Sequence, residues 1–360
     1  MAVLYSFDPA TQNIRQLTFE QDSDWCPSML ENGRVMYTRW EYSDLPHYFS
    51  RILFHCNPDG TNQSELYGSG SYWPNGIFYA RQVPAHPNLI VGIVSGHHGL
   101  SRSGQMVLFD TSKGRKEAGG VVQTFLKSDE PTDPIIVDRL YNASWPHFLQ
   151  PYPLNEKYYL VSAKLTPDSL WGVYLIDIYD NMTLIKELPG AALLEPIPLQ
   201  PTTQPAPVYD RVDMTQDEGT VFIADIYSGP GLAGVPRGTV KKLRLFSYHF
   251  NYLNTGGHNS VGIESSWDVK RILGTVTVEE DGSASFRVPA NTPISMQPLD
   301  EEGRALQLMR SWFVAMPGEL VSCVGCHESQ NDVVPARPTT ASYRPPEGIE
   351  PWYGPARPFG

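Results

Sequence analysis

The sequence predicts an all-β protein, a partial or complete β-propeller followed by a small β unit. Short apolar runs rich in β-branched and aromatic residues recur along the first two-thirds of the chain, and Gly, Pro, Asn and Asp turns separate them. The repeat length is a few tens of residues, which is typical of propeller blades. The composition agrees, since 32 Pro, 30 Gly and 19 Tyr accompany only 18% charged residues, the balance of a turn-rich β protein.

A loose module repeats four times along residues 20–250. The first three copies open with a Trp and a Pro, at Trp25/Pro27, Trp73/Pro74 and Trp145/Pro146, which we interpret as blade packing. A nearly continuous apolar strand follows, at 34–39, 89–94, 158–162 and 220–225, and then a second strand at 52–56, 106–110, 173–178 and 243–247. We interpret each copy as a blade whose apolar first strand is innermost and buried on both faces. Residues 4–7 and 14–17 are interpreted as the end of an earlier blade.

The pattern changes near residue 270. Residues 272–278 and 284–288 flank Asp281-Gly282, which predicts a β-hairpin. We therefore expect propeller blades over 1–269, a small β domain over 270–330, and a proline-rich strap or linker over 331–360.

The small β domain ends in Cys323-Val-Gly-Cys326-His327, which is the attachment pattern of a c-type haem. The two thiols can add to the haem vinyl groups, and the adjacent imidazole can ligate the iron. The pattern predicts haem c held by Cys323, Cys326 and His327, with the other axial position open or filled by a side chain such as Met309. This makes the chain an electron-transfer module or an oxidoreductase subunit. Its partner would be a redox protein or further haem domains.

The haem interpretation also predicts a periplasmic or otherwise exported protein, because haem is normally attached to this pattern outside the cytoplasm. The first residues have neither a basic n-region nor an apolar h-region. The export signal would then precede residue 1.

Two alternatives remain open from the residues themselves. Cys323, Cys326 and His327 are also three ligands of a structural zinc site, with Cys26 beside Asp22 and Asp24 as a possible fourth, or the two thiols form a disulfide. The third interpretation is a propeller that binds a protein or a glycan, with no cofactor at the motif.

The remaining motifs indicate less. Gly229-Pro-Gly-Leu-Ala-Gly234 has the spacing of a nucleotide-binding loop, but Pro230 and Pro236 exclude the helix that such a site needs. His97 and His98 are adjacent, so at most one of them would face a metal site on an extended chain. A net charge of −12 without a basic cluster argues against nucleic acid as a partner. No apolar run is long enough to cross a bilayer.

Five segments together resemble the family of the hydrazine synthase alpha subunit. They are Asp24-Trp-Cys-Pro27, Gly33-Arg-Val-Met-Tyr-Thr-Arg-Trp-Glu-Tyr42, Asn57-Pro-Asp-Gly60, Ser95-Gly-His-His-Gly99 and Ser322-Cys-Val-Gly-Cys-His-Glu328. The resemblance implies a β-propeller, then a domain with a covalently bound haem, and often further c-type haem segments. It also implies that the motif histidine, here His327, binds zinc while a tyrosine four residues later ligates the iron. That fourth residue is Asn331 in this chain, and an amide is a poor replacement for a phenolate on iron. We therefore expect no hydrazine synthesis by this chain.

Overall fold

The computed structural model describes residues 2–20, 22–41, 51–96, 102–127, 137, 139–250, 268–326, 333 and 337–351. Within these ranges the chain forms β-strands and two 3-10 helices, Pro230–Leu232 and Thr340–Tyr343. The strands are β1 (Tyr5–Asp8), β2 (Asn13–Gln16), β3 (Ser23–Met29), β4 (Val35–Trp40), β5 (Arg51–Cys56), β6 (Ser64–Tyr67), β7 (Ile77–Gln82), β8 (Leu89–Val94), β9 (Gln105–Asp110), β10 (Val121–Thr124), β11 (His147–Pro153), β12 (Tyr158–Lys164), β13 (Gly172–Asp177), β14 (Met182–Lys186), β15 (Glu218–Ile223), β16 (Lys242–Phe250), β17 (Asp268–Thr277), β18 (Ala284–Pro289), β19 (Ile294–Leu299) and β20 (Leu320–Cys323).

The chain divides into two compact units. The first comprises Met1–Ile14, Asp22–Pro58 and Gln63–Tyr209, and the second comprises Arg15–Gln21, Asp59–Asn62 and Asp210–Gly360. None of the helices among the described residues has the length and apolar character of a membrane span.

The first unit contains three consecutive four-stranded sheets, β3–β6, β7–β10 and β11–β14. In each sheet the strands follow chain order and neighbours are antiparallel, which is the arrangement of a propeller blade. A two-stranded sheet, β1 and β2, precedes them. The predicted all-β, propeller-like fold is confirmed.

The sheets of the first unit share buried clusters. Val91 and Ile93 of β8 lie in one cluster with Tyr159 and Val161 of β12, and all four are fully buried. Each such side chain stabilises the fold by about 1.5–3 kcal/mol relative to an exposed one. The nearly continuous apolar runs of the sequence therefore mark strands with both faces covered.

The apolar runs are the second strands of their sheets, not the first ones as predicted. The true first strands are β3, β7 and β11, and each carries a β-bulge in which two residues oppose one. The bulge interrupts the alternation of inward and outward side chains by which a strand is recognised in a sequence.

The bulges also show which residues of the three sheets are equivalent. When the first strands are aligned at their bulges, Trp25 corresponds to Phe78 and Leu149. Trp25 is therefore not equivalent to Trp73 and Trp145, which precede their strands.

The second unit is built from two three-stranded sheets, in the orders β18–β15–β20 and β17–β16–β19. Apolar residues of both sheets form one core, among them Val221 of β15, Leu245 of β16 and Phe286 of β18. The fourth predicted blade is wrong, because its two strands are β15 and β16 and belong to different sheets. The domain boundary predicted at residue 269 falls within β17 of this unit.

The hairpin predicted around Asp281-Gly282 is also absent. The turn itself forms, with the amide of Glu279 bonded to the carbonyl of Ser283 at 2.8 Å. However, β17 pairs with β16 and β18 pairs with β15. The chain thus crosses from one sheet to the other, which lets both strands bury an apolar face in the shared core.

Residues 337–351 are part of the second unit, and after the 3-10 helix Thr340–Tyr343 they bond to its strands. The amides of Arg287 and Thr275 bond to the carbonyls of Glu347 and Glu350, at 2.8 and 2.9 Å. Gly274 allows the second contact, because a Cβ there would lie 2.2 Å from the Glu350 carbonyl oxygen.

Acid should weaken the first unit through His55. Its Nδ1 accepts a hydrogen bond from Arg34 Nε at 3.1 Å, which requires a neutral ring. Burial and then the charges of Arg34 and Arg115 lower the pKa of His55 to about 3. Because the folded state binds this proton less readily than the unfolded state, the free energy of unfolding should fall as pH drops from about 6.5 toward 3, with a slope approaching about 1.4 kcal/mol per pH unit.

Urea unfolding across this pH range measures the slope. His55→Asn keeps an acceptor for Arg34 and should remove the contribution of His55 to the slope. The control is His86→Asn, which should leave the slope unchanged, because the His86 side chain is partly exposed and lies 3.9 Å from the partly exposed Glu156 carboxylate. Equal slopes for wild type and His55→Asn would contradict the assignment.

Candidate functional site

Cys323 is the last residue of β20, an edge strand that pairs with β15, and Cys326 lies three residues further along the chain. The two strands run parallel, and Val221 and Ile223 are opposite Val321 and Cys323. The side chains of Val321 and Cys323 face the core of the second unit and are partly buried against it. The alternation of β20 therefore directs the first thiol inward.

Beyond the strand, a turn at residues 224–231 continues to hold the motif backbone. Every residue of the motif from Cys323 to Cys326 except Gly325 takes part in a backbone hydrogen bond with this turn, which we call the anchor turn. The bonds are Ala224 N to Cys323 O at 3.0 Å, Asp225 N to Val324 O at 3.0 Å, Cys326 N to Ser228 O at 2.9 Å and Gly231 N to Cys326 O at 3.2 Å.

Gly325 is required because the motif lies so close to the anchor turn. A Cβ on Gly325 would be 2.3 Å from the Ser228 carbonyl oxygen and 2.7 Å from that of Asp225. Both are backbone atoms, which cannot move away as the end of a side chain can. The glycine of the pattern is thus explained by contact within the protein.

Cys323 and Cys326 are half-buried, and both pack against the apolar core. Two thiols on a fixed backbone beside apolar side chains suit covalent attachment of a porphyrin edge, and they equally suit a thiolate metal site. His327, Asn331, His97 and His98 lie outside the described residues. Among the residues that are described, no group of three or more His, Cys, Asp or Glu side chains is placed to hold a metal ion.

Cys26 lies in the first unit, in the bulge of β3, with a left-handed φ of +53°. It lines a cavity of about 70 Å³ with Tyr79, Gln150 and Glu195, among others. Burial raises the pKa of the Cys26 thiol, and the nearby Arg102 opposes this rise. The role of Cys26 as a metal ligand stays a prediction.

Tyr79 and Gln150 occupy the same bulge position in β7 and β11 as Cys26 does in β3. Their φ values are +53° and +50°, a conformation that costs energy in residues other than glycine. The equivalent residues of three successive sheets therefore line one cavity. No pattern in the sequence announces this equivalence, because the three residues differ in type.

Met309, the predicted second axial ligand, is half-buried between β19 and β20. Its amide bonds to the Met296 carbonyl at 3.1 Å, and its carbonyl accepts a bond from Ser295 Oγ at 2.8 Å. These bonds fix its backbone, and its role as an iron ligand stays a prediction.

Comparison with known proteins bears on the resemblance predicted from the sequence. Residues 238–328 match the family described as the hydrazine synthase alpha subunit middle domain. This range contains β16–β20 and the whole motif. These residues are therefore similar to the hydrazine synthase alpha subunit. The predicted resemblance is confirmed.

A solved structure, Kuenenia stuttgartiensis hydrazine synthase, has a similar fold. The TM-score is 0.71 at 18% sequence identity, over 94% of this chain and 48% of that chain. At this identity the likeness concerns the fold alone. The present chain spans about half of the length of the hydrazine synthase chain that it matches. A search of curated proteins found no match.

The anchor turn is the functional element that the sequence did not reveal. Its end overlaps Gly229–Gly234, which the sequence marks only as a loop that cannot bind a nucleotide. In the structure this loop begins the 3-10 helix Pro230–Leu232 and bonds to Cys326. Neither segment of the sequence alone shows that the anchor turn and the motif bond to each other.

Gly325→Ala should destabilise the second unit. The added methyl group would overlap the Ser228 and Asp225 carbonyls, and overpacking of this kind costs about 1–3 kcal/mol. The matched control is Gly348→Ala, since a Cβ there would meet only the end of the Arg287 side chain, at 3.4 Å. Calorimetric melting of both variants tests this, and equal stability of the two would contradict the close contact.

Proposed function

We propose that this protein carries a covalently attached c-type haem and acts as a redox module. Cys323 and Cys326 would form the thioether bonds and His327 would ligate the iron. When bound, the haem would supply one-electron transfer. The observation that carries the proposal is the anchor turn, which holds the backbone of both cysteines with each thiol half-exposed beside apolar side chains.

The protein's own residues would contribute position and environment. The apolar core beside Cys323 and Cys326 would exclude water from one side of the porphyrin, which is one of the means by which a protein sets a haem potential. The partner would be a redox protein or a further haem domain, in a periplasmic or other exported setting. Hydrazine synthesis is not part of the proposal, because Asn331 stands where the family's iron-ligating tyrosine is expected.

Haem attachment should follow export of the chain into a periplasm that contains haem-attachment machinery. The expected result is a haemochrome spectrum in the denatured protein and a mass gain of one haem on the peptide with Cys323 and Cys326. The variants Cys323→Ser and Cys326→Ser should each impair this attachment, whereas Cys26→Ser should retain it.

Two outcomes would contradict the proposal. One is haem-free protein with stoichiometric zinc that Cys26→Ser or Cys323→Ser removes. The other is haem-free protein with a Cys323–Cys326 disulfide, which mass spectrometry before and after reduction detects. Either outcome would favour the metal or thiol function over the haem.

A further inference from the structure

A buried carboxylate, that of Asp225, lies in the anchor turn directly beside the motif. The residue is 8% exposed. Its Oδ2 accepts bonds from Arg237 Nη1 at 2.9 Å and Arg337 Nη2 at 3.4 Å, and its Oδ1 accepts the amide of Tyr227 at 3.1 Å. Two guanidinium groups therefore share one oxygen of a single carboxylate.

The carboxylate has little freedom to move. A Cβ on Gly282 would lie 2.4 Å from Asp225 Oδ1, so the turn between β17 and β18 closes over it. Arg237 stacks 5.0 Å from the Tyr227 ring centre and donates a second bond to the Asp281 carbonyl at 2.9 Å. Hydrogen bonds to charged groups in such places contribute more than neutral ones.

The same residue contacts the chain on both sides of His327. Its backbone amide bonds to the carbonyl of Val324, three residues before the histidine, and a Cβ on Gly325 would lie 2.7 Å from its carbonyl oxygen. Its carboxylate binds Arg337, ten residues after the histidine. Asp225 therefore binds Val324 and Arg337, two described residues on either side of His327 in the sequence.

We propose that Asp225 is the positioning residue of the two motif cysteines, Cys323 and Cys326. Through Val324 it holds the loop between the two cysteines, and through Arg337 it holds the chain after His327. Its effect on iron ligation rests on the proposed haem function, whereas its effect on the two thiols does not.

The variant Asp225→Asn removes the negative charge of the side chain and keeps its size and shape. The amide side chain keeps the size of the carboxylate and can still accept the Tyr227 bond, but it loses the ionic bonds to Arg237 and Arg337 and leaves the two cations unneutralised. Arg337→Gln removes only the contact after His327. Asp300→Asn is the matched control, because Asp300 is also 8% exposed and pairs with an arginine, Arg304, at 2.7 Å, outside the anchor turn.

The first measurement uses the full chain without haem, reduced, at fixed pH. Alkylation of Cys323 and Cys326 by iodoacetamide, followed by peptide mass spectrometry, should be about tenfold faster in Asp225→Asn than in wild type, since weakening a charged hydrogen bond favours local opening. Arg337→Gln should change the rate in the same direction by less. Cys26, in the first unit, is the internal reference and should keep its rate in all variants.

The second measurement uses haem-loaded chain and reads the iron ligation. The ferric absorption spectrum of Asp225→Asn should show a larger high-spin fraction than wild type, and its ferrous form should bind carbon monoxide faster. A purely structural role elsewhere in the unit would not change the spectrum, so Asp300→Asn should match wild type. If Asp225→Asn does not fold, Arg337→Gln carries both measurements.

Unchanged alkylation in Asp225→Asn, or an equal increase in Asp300→Asn, would overturn the proposal. If the wild-type chain takes up no covalent haem, the proposed function fails, and the alkylation rates alone then decide the positioning role.

Discussion

The parallel pairing of β20 with β15 determines where the two cysteines lie. Partners such as Val221 and Val321 are far apart along the chain, and β16–β19 lie between them in the sequence. Parallel pairs always require such a crossover. The anchor turn then extends the contact beyond the ends of both strands. As a result, the thiols are held by the complete second unit and not by a local turn.

The first unit shows a related use of backbone geometry. Bulges in β3, β7 and β11 place Cys26, Tyr79 and Gln150 at equivalent positions with left-handed φ. Such conformations persist only where the surrounding sheet holds them. Because the three sheets repeat the same bulge, three chemically different side chains line one cavity. Repetition of a sheet thus creates a site without any repeated residue type.

The sequence predicted the class of fold because apolar runs survive in strands with both faces buried, as in β8 and β12. It missed β3, β7 and β11, since a bulge interrupts the alternation of side chains and no glycine marks the left-handed residue. It also predicted a blade from β15 and β16 and a hairpin from β17 and β18. Both errors have one cause: strand signals are local, whereas the choice of partner strand is made by the core of the second unit.

For the candidate site, the thiols and the histidine could be predicted because they form a short motif with known chemistry. Asp225 could not, since it lies about a hundred residues earlier and is an acidic residue in a turn like many others. Only the structure shows that its backbone and its carboxylate serve the same segment. Gly325 lies between these two cases. The sequence shows that a glycine stands between the two cysteines, but only the structure shows that the Ser228 carbonyl leaves no room for a side chain there.

The central claim is that the protein itself fixes the motif backbone before any cofactor binds. Amide hydrogen exchange of Cys326 in the reduced, haem-free chain tests it most directly, because that amide bonds to Ser228 of the anchor turn at 2.9 Å. We expect the Cys326 amide to exchange as slowly as the amides of β15. Exchange at the rate of an unprotected peptide, while β15 remains protected, would contradict it.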